Sequence, residues 1–403
     1  MGSRRDLFLV SVGSSVSWFG NSLALIALTL TLRATGSYAI AGLFIAETVP
    51  LLLAASVGGL IADRFPNRRL MIFALIGQAA AAVGLAFGQP SLLPVFGFVV
   101  LLSIGGAIVR PAGSALLPVI TGEDGSTRGY AWMSTASSTG ILLGTAAGGI
   151  LVTAYGARDA LLIDAATFGV QALALFLVRA ERRPERKAER GTAGHEIRAG
   201  LRLLFGDRVL ITAVGGLAAS YFAVNLVIVA EVFFITVTLH GSGIVLGVIQ
   251  GVWMVGALLG ARIGARLRTV RGIALLLAVS ECGMGIAMGW PAVLPQVLVL
   301  TAAYLLGGIC NGAQTVAQNA MVRLRTPEAM RGRVFAGAGG LVSGANLLAS
   351  LFGGLIVAAT DARFTYALAC VLTLAVGTGA LLLSLRLTTP SPAGQEQRTA
   401  RTV

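Results

Sequence analysis

Long apolar runs separated by short charged stretches set the architecture of this chain. Twelve such runs can be laid down. Six lie near 7–32, 39–61, 70–88, 92–118, 130–153 and 160–178, and six more near 209–239, 243–267, 272–290, 293–322, 334–359 and 363–385. A helix needs roughly 20 mostly apolar residues to cross about 30 Å of hydrocarbon. Backbone groups in lipid must find partners within their own segment, so runs of this length predict spanning helices. The expected fold class is an all-α polytopic membrane protein. Its expected domains are an N-terminal six-helix bundle over 1–178, a linker over 179–208, a C-terminal six-helix bundle over 209–386, and a flexible tail over 387–403.

Composition agrees with that pattern. Of the 403 residues, 56% are hydrophobic and 12% charged, against about 25% charged in soluble domains. The 53 glycines follow no collagen period and suit close helix packing in lipid. Arg4 and Arg5 before the apolar stretch Leu7–Leu32 imitate a signal peptide. That stretch is longer than a signal core and no small-residue cleavage pattern follows it, so it reads as the first retained span.

The net charge of +13 would suit a nucleic-acid binder, but such a protein gathers its charge on one face. Here the basic residues, all Arg except Lys187, are spread over many loops. An even number of spans puts both termini on one side. If that side is cytoplasmic it holds 26 of the 30 basic residues, leaving Arg33, Arg158 and Arg363 outside and Arg110 within a span. The positive-inside rule then gives a multi-pass inner (plasma) membrane protein with cytoplasmic termini. The linker is cytoplasmic in that orientation. Its apolar positions Ile197, Leu201, Leu204 and Phe205 recur at helical spacing, as in a short amphipathic helix on the membrane surface. A plain tie between halves is the simpler reading of it than a regulatory element.

The halves repeat. Trp18, Phe19, Gly20 and Asn21 match Phe222, Ala223, Val224 and Asn225 at an offset of 204. Gly148–Leu151 matches Gly353–Ile356 at 205, and Gly59 matches Gly260 at 201, each of these two before an Arg-rich loop. A six-plus-six parallel repeat places a substrate site between the halves near mid-membrane, with alternating access by rocking.

Two motifs carry more. The loop after span 2 reads GGLIADRFPNRR from Gly58 to Arg69. Gly59 permits close helix approach. Asp63 can cap a helix N-terminus or pair with Arg64, Arg68 or Arg69, as a latch that breaks when the halves rock. Span 5 carries Gly140, Gly144, Gly148 and Gly149 in a small-residue pattern that lets backbones touch. The first stretch resembles the loop signature of the major facilitator superfamily, with Pro66 in place of its second glycine and Asn67 in place of a basic residue. The second is similar to the span-5 signature of that family's antiporters, with Thr145 where proline is usual. The segment RLRTPEAMRGRVFA, Arg323 to Ala336, and the stretch HEIRAGLRLLFGDRVL before span 7 resemble the macrolide-efflux and enterobactin-exporter branch.

The resemblance implies that spans 1, 4, 7 and 10 line a cavity and that 3, 6, 9 and 12 face outward as supports. A charge at mid-bilayer costs about 2.5–3.5 kcal/mol on insertion scales, so each one needs a reason. On the implied map Arg110 in span 4 could meet an anionic group or balance a carboxylate, and Glu231 in span 7 could carry a proton. A structural ion pair, or an outer-end Glu reaching water, competes with both readings. Glu47 lies three residues before Pro50 in a gating helix. Asp164 in span 6 is expected to snorkel to the outer surface. Glu281 in span 9 is expected to pair inward with a neighbour. Asn21, Asn225, Gln250, Asn311, Gln314 and Gln318 could line the cavity or join helices by hydrogen bonds. In family antiporters span 1 often holds an acid and the span-4 signature usually opens with Arg. Span 1 here has no internal acid, and Leu101 stands at the Arg position.

The function expected from these features is proton-coupled efflux of amphipathic drugs or natural products, macrolide-like in class, by a monomer that needs no cofactor. The expected partners are a small-molecule substrate, protons and the lipid bilayer. Export of an anionic metabolite such as a siderophore is the alternative, favoured by Arg110. A channel would show polar stripes along several helices. An enzyme would show a nucleophile or a metal cluster at membrane depth. The chain shows neither pattern, and it has no GxxxxGK[ST] nucleotide loop. Cys282, Cys310 and Cys370 read as small packing residues. His195 and His240 are too few for a metal site.

Overall fold

The computed structural model describes residues 4–88, 91–122, 125–181, 202, 205–266, 269–326 and 330–385. The expected amphipathic helix of the linker falls almost entirely outside them, and the tail over 387–403 falls wholly outside. Six helices make up the first half: α1 (Arg4–Leu32), α2 (Ser37–Arg64), α3 (Asn67–Gly88), α4 (Leu92–Thr121), α5 (Ser126–Tyr155) and α6 (Ala157–Leu177). The second half holds α7 (Arg208–Phe233), α8 (Gly243–Gly264), α9 (Val270–Val293), α10 (Val297–Arg325), α11 (Arg331–Ala359) and α12 (Ala362–Leu385). Eleven are long and apolar enough to cross a membrane, and Ser37–Leu51 in α2 is a shorter apolar stretch.

Boundaries follow local chemistry. Gly122 and Gly156 adopt φ of 75° and 86° at the ends of α4 and α5, a left-handed stop that a side chain resists. Between α9 and α10 the break falls later than expected: α9 continues through Pro291 to Val293. So close to the helix end, the missing proline N–H costs one backbone hydrogen bond without ending the helix. The last turn of α7 passes into a π-helical turn, Phe234–Thr238.

By contacts the chain divides into two units. One holds α1–α6 together with Ile235–Gly251, and the other holds α7 as far as Phe234 together with α8 from Val252 through α12. Within the first, α1 packs on α5 and α6, and α3 packs on α4 and α6. Within the second, α7 packs on α11 and α12, and α9 packs on α10 and α12. The same four pairings thus occur in each half, six helices apart. Ile235–Gly251 joins the first unit because Gly149 of α5 meets Gly243 and Gly247 at backbone distance.

Glycines make the closest helix approaches. A Cβ at Gly140 or Gly144 would collide with the backbone carbonyl of Ser15 or Phe19 on α1, and one at Gly148 would press on Ile26. In the second unit Gly256, Gly260 and Gly264 of α8 lie against the backbone of α10, which answers with Gly308 and Gly312. Lipid offers no hydrophobic drive between helices, so dispersion across such contacts has to supply the cohesion. Each cysteine sulfur also sits over a glycine of a neighbouring helix: Cys310 over Gly283, Cys370 over Gly289 and Cys282 over Gly377. All three thiols are free.

Polar clasps close the helix ends, and they too come in repeat-related pairs. Asp6 accepts hydrogen bonds from the backbone N–H groups of Arg179 and Ala180, both at 3.1 Å. Asp207, 201 positions on, takes the Arg325 guanidinium at 2.9 and 3.1 Å and caps α7 through Leu210 N–H. Arg158 at the start of α6 lies 4.3 Å over the Phe87 ring near the end of α3. Arg363, 205 positions on, donates to the Ala292 and Val293 carbonyls at the end of α9. Two of the three arginines that depart from the basic-side majority are therefore clasps. One consequence is measurable by thermal melting of the purified protein in detergent. Gly260→Leu drives a side chain into the α10 backbone and should lower stability by about 1–3 kcal/mol, the usual cost of overpacking. Gly344→Ala, where an added Cβ meets nothing within 4 Å, should leave the melting temperature unchanged.

Candidate functional site

The first unit encloses a cavity of about 150 Å³ lined from α1, α2, α3, α4 and α6. Its wall is mixed, with an aliphatic part from Ala24, Leu25, Leu28, Leu43, Val99 and Leu102 and a polar part of similar extent. Three charged residues and a tryptophan interrupt that wall: Glu47, Arg110, Asp164 and Trp18. The Arg110 guanidinium carbon lies 4.8 Å from the Trp18 ring centroid, and Glu47 is its electrostatic partner across the cavity. A guanidinium over an indole face gains from the ring quadrupole. Two further polar residues of the wall are held by neighbours. Gln78 donates to the Leu102 carbonyl at 2.9 Å, and Gln171 donates to Ser14 at 3.3 Å. Asn21 lines the same cavity.

Asp164 departs from expectation. It does not snorkel to a surface but is fully buried on the cavity wall, beside Thr167. Gly20 of the repeated tetrapeptide makes room for it, since a Cβ there would strike Thr167 Oγ1 and Asp164 Oδ1. Gln78 likewise needs Gly105 opposite it. Helices 3 and 6 therefore contribute to this cavity as well as supporting it. The expected division into lining and supporting helices misses that contribution, because hydropathy does not report which side of a helix holds its one polar group.

The second unit holds two further buried acids. Glu231 of α7 has only 2% of its surface exposed and meets the Tyr304 hydroxyl of α10. That hydroxyl lies 2.9 Å from the Tyr366 hydroxyl of α12. Phe234, at the start of the π-helical turn, packs on Tyr366 at 4.8 Å between ring centroids. Glu281 of α9 is equally buried and accepts a 2.5 Å hydrogen bond from Gln314 of α10. Inward pairing was expected for Glu281, and for Gln314 either a place on the cavity or a hydrogen bond between helices; the structure joins the two. The repeat offset could have exposed the link, because Gln78 and Glu281 stand 203 positions apart on equivalent helices.

Asn225 joins α7 to α11 through Asn346 at 2.8 Å and also donates to the Tyr221 carbonyl. Gly140, Gly144 and Gly148 face α1, and Gly149 faces α8. Arg68 donates to the Val178 carbonyl at the end of α6, next to the ion pair of Arg69 with Glu181 at 3.6 Å. Gly59, Asp63 and Arg64 lie within α2, outside the residues whose side chains are described. No group of three or more His, Cys, Asp or Glu able to hold a metal occurs among the described residues.

The family comparison assigns this fold. The Major Facilitator Superfamily model matches residues 7–288 and 262–402. The chain belongs to that superfamily. Its relatives include the multidrug efflux pump Tap of Mycolicibacterium fortuitum, 26% identical over 90% of this chain and 92% of Tap. The enterobactin exporter EntS of Citrobacter koseri is 24% identical over 77% of this chain and 73% of EntS. Among solved structures, that of the nucleoside transporter NupG superposes with a TM-score of 0.79 at 12% identity, covering 94% of this chain and 99% of NupG. That likeness speaks to the fold alone.

The Arg110–Glu47 contact yields a double-mutant test. Arg110→Leu leaves Glu47 without its partner and should lower the melting temperature. Adding Glu47→Gln should recover part of the loss, giving a coupling of about 0.5–3 kcal/mol. Additive losses would mean that the two charges do not interact.

Proposed function

We propose that this facilitator is a proton-coupled exporter of amphipathic drugs or natural products, macrolide-like in class, working by alternating access. The observation that carries the reading is the cavity of the first unit. The aliphatic part of its mixed wall offers dispersion to an apolar body, while the Trp18 face, Arg110, Glu47 and the other polar residues offer a polar end. Because the Glu47 charge partly offsets that of Arg110, the wall offers less positive charge to select a fixed anion. That weighs against a siderophore-like cargo and for molecules of mixed character. The resemblance to Tap supports efflux in the same direction.

Orientation follows from charge placement, with both termini cytoplasmic and the arginine-rich loops inside. Rocking of the two repeats would alternately expose the pathway. Asn21, Arg110 and Glu47 would line the pathway in the first half, and Asn225, Gln314 and Glu231 in the second. Gly59, Asp63, Arg64 and Arg68 would serve as the latch at the inner end of α2 and α3. Gly140, Gly144, Gly148 and Gly149 would keep α5 tight against its neighbours during the motion. A carboxyl that meets water in one state and a dry interior in the other carries a proton with the cycle, and Glu231, buried beside Tyr304 and Tyr366, is placed to do so. The chain would act as a monomer, with a small molecule and protons as its ligands and no chemistry of its own.

Proteoliposomes test this with erythromycin and ethidium as probes. An imposed proton gradient should accelerate movement of at least one probe, and a susceptibility panel in a pump-deficient host should show protection against the same compound. Gradients that leave every candidate drug unaffected would exclude proton-coupled export. Glu231→Gln should abolish the gradient response in a protein that remains monodisperse, and an unchanged response would remove Glu231 from the mechanism.

A further inference from the structure

The pocket around Glu281 has an unusual polar inventory. Glu281, Gln314 and Ser220 come from α9, α10 and α7 and expose 2%, 1% and 1% of their surfaces. Gln314 Nε2 donates to Glu281 Oε1. Ser220 faces the same carboxyl without a well-aligned hydrogen bond. Glu281 Oε2, Ser220 Oγ and Gln314 Oε1 are all buried and unpartnered among the described residues. Gly216 of α7 and Gly377 of α12 bring their helices to within contact of the Glu281 side chain. The titratable groups that face it are two thiols, Cys282 on its own helix and Cys310 on α10. No arginine or lysine pairs with it among the described residues.

An ionised carboxylate here would have one amide donor and no counter-charge, which a dry interior penalises heavily. A neutral carboxyl fits better. Its carbonyl oxygen accepts from Gln314, and its O–H can turn onto the Ser220 hydroxyl, giving two of the unpartnered atoms a bond. The repeat points the same way. The equivalent position in the first unit is Gln78, a neutral side chain that bonds across to α4. This place in the fold accepts a neutral hydrogen-bonding group, and only in the second unit can that group release a proton.

We infer that Glu281 is a protonation site of the second unit, holding its proton while α7, α9 and α10 are packed and releasing it when they part and water reaches Oε2. The inference rests on the proton-coupled reading above, to which it adds a residue on α9. Deprotonation would strain the packing around Gln314 and Ser220, so proton release and helix separation are linked in both directions.

The test uses the full chain in nanodiscs. Dicyclohexylcarbodiimide reacts with protonated carboxyls in apolar surroundings, and peptide mass spectrometry locates the adduct. Labelling at Glu281 is expected, falling as the pH is raised and unchanged when sodium replaces choline at constant pH. Glu281→Gln should lose the acceleration of probe transport by an imposed proton gradient. Absence of the label, protection by sodium, or a full gradient response in Glu281→Gln would each overturn the assignment. Should Glu281→Gln fail to fold, labelling of the wild-type chain still decides the matter. A wild-type protein that labels at Glu281 but ignores every gradient would overturn the transport reading and leave the protonation site standing.

Discussion

The constraint on which everything else here depends is that lipid gives helices no reason to associate except close contact. Water drives apolar surfaces together, and hydrocarbon does not. The protein meets this by bringing backbones together at glycine, in α5 against α1 and α8 and in α8 against α10. Such seams are steep in energy: a single added Cβ at Gly260 or Gly312 would overlap a facing carbonyl. Steepness matters for a carrier, because two packed surfaces that either fit or do not fit behave as discrete states rather than as a continuum.

The second constraint is electrical. Four described acids inside the helices each have a group nearby that offsets part of their desolvation. Glu47 has Arg110, Glu231 has Tyr304, Glu281 has Gln314, and Asp164 has Thr167. These solutions are unequal. The first sets two opposite charges on the lining of one cavity. Among the contacts described, the others meet neutral groups. A transporter driven by protons needs groups of the second kind, whose proton occupancy depends on which arrangement of helices surrounds them. In the proposed mechanism the glycine seams and the buried acids belong together: the seams would set the discrete arrangements, and the acids would make the choice between them sensitive to pH.

Much of this was legible in the sequence, because periodicity and charge report on whole helices. The apolar runs located the twelve described spanning-length helices to within a few residues, and the offset of 201–205 accords with helix pairings that recur in both halves. The glycines of α5 announced a packing face by their spacing alone. What escaped was the direction of single polar side chains. Asp164 was read as reaching outward because it lies near a helix end, yet Gly20 opens a place for it inside. Gln314 was left between lining a cavity and joining helices, and it bonds Glu281. Both depend on which residue of another helix stands opposite the polar one, a relation between distant positions that one sequence does not display. The repeat offers partial access to it, as the pairing of Gln78 with Glu281 illustrates.

Proton-coupled efflux requires that drug and proton compete for one protein. The direct measurement is proton release from the purified chain in weakly buffered detergent, followed with a pH indicator while erythromycin or ethidium is added and its binding is recorded. Coupled export predicts that binding of a transported drug displaces protons into solution, with the release shrinking at high pH, where the acids are already empty. Saturable binding with no proton release at any pH would contradict it.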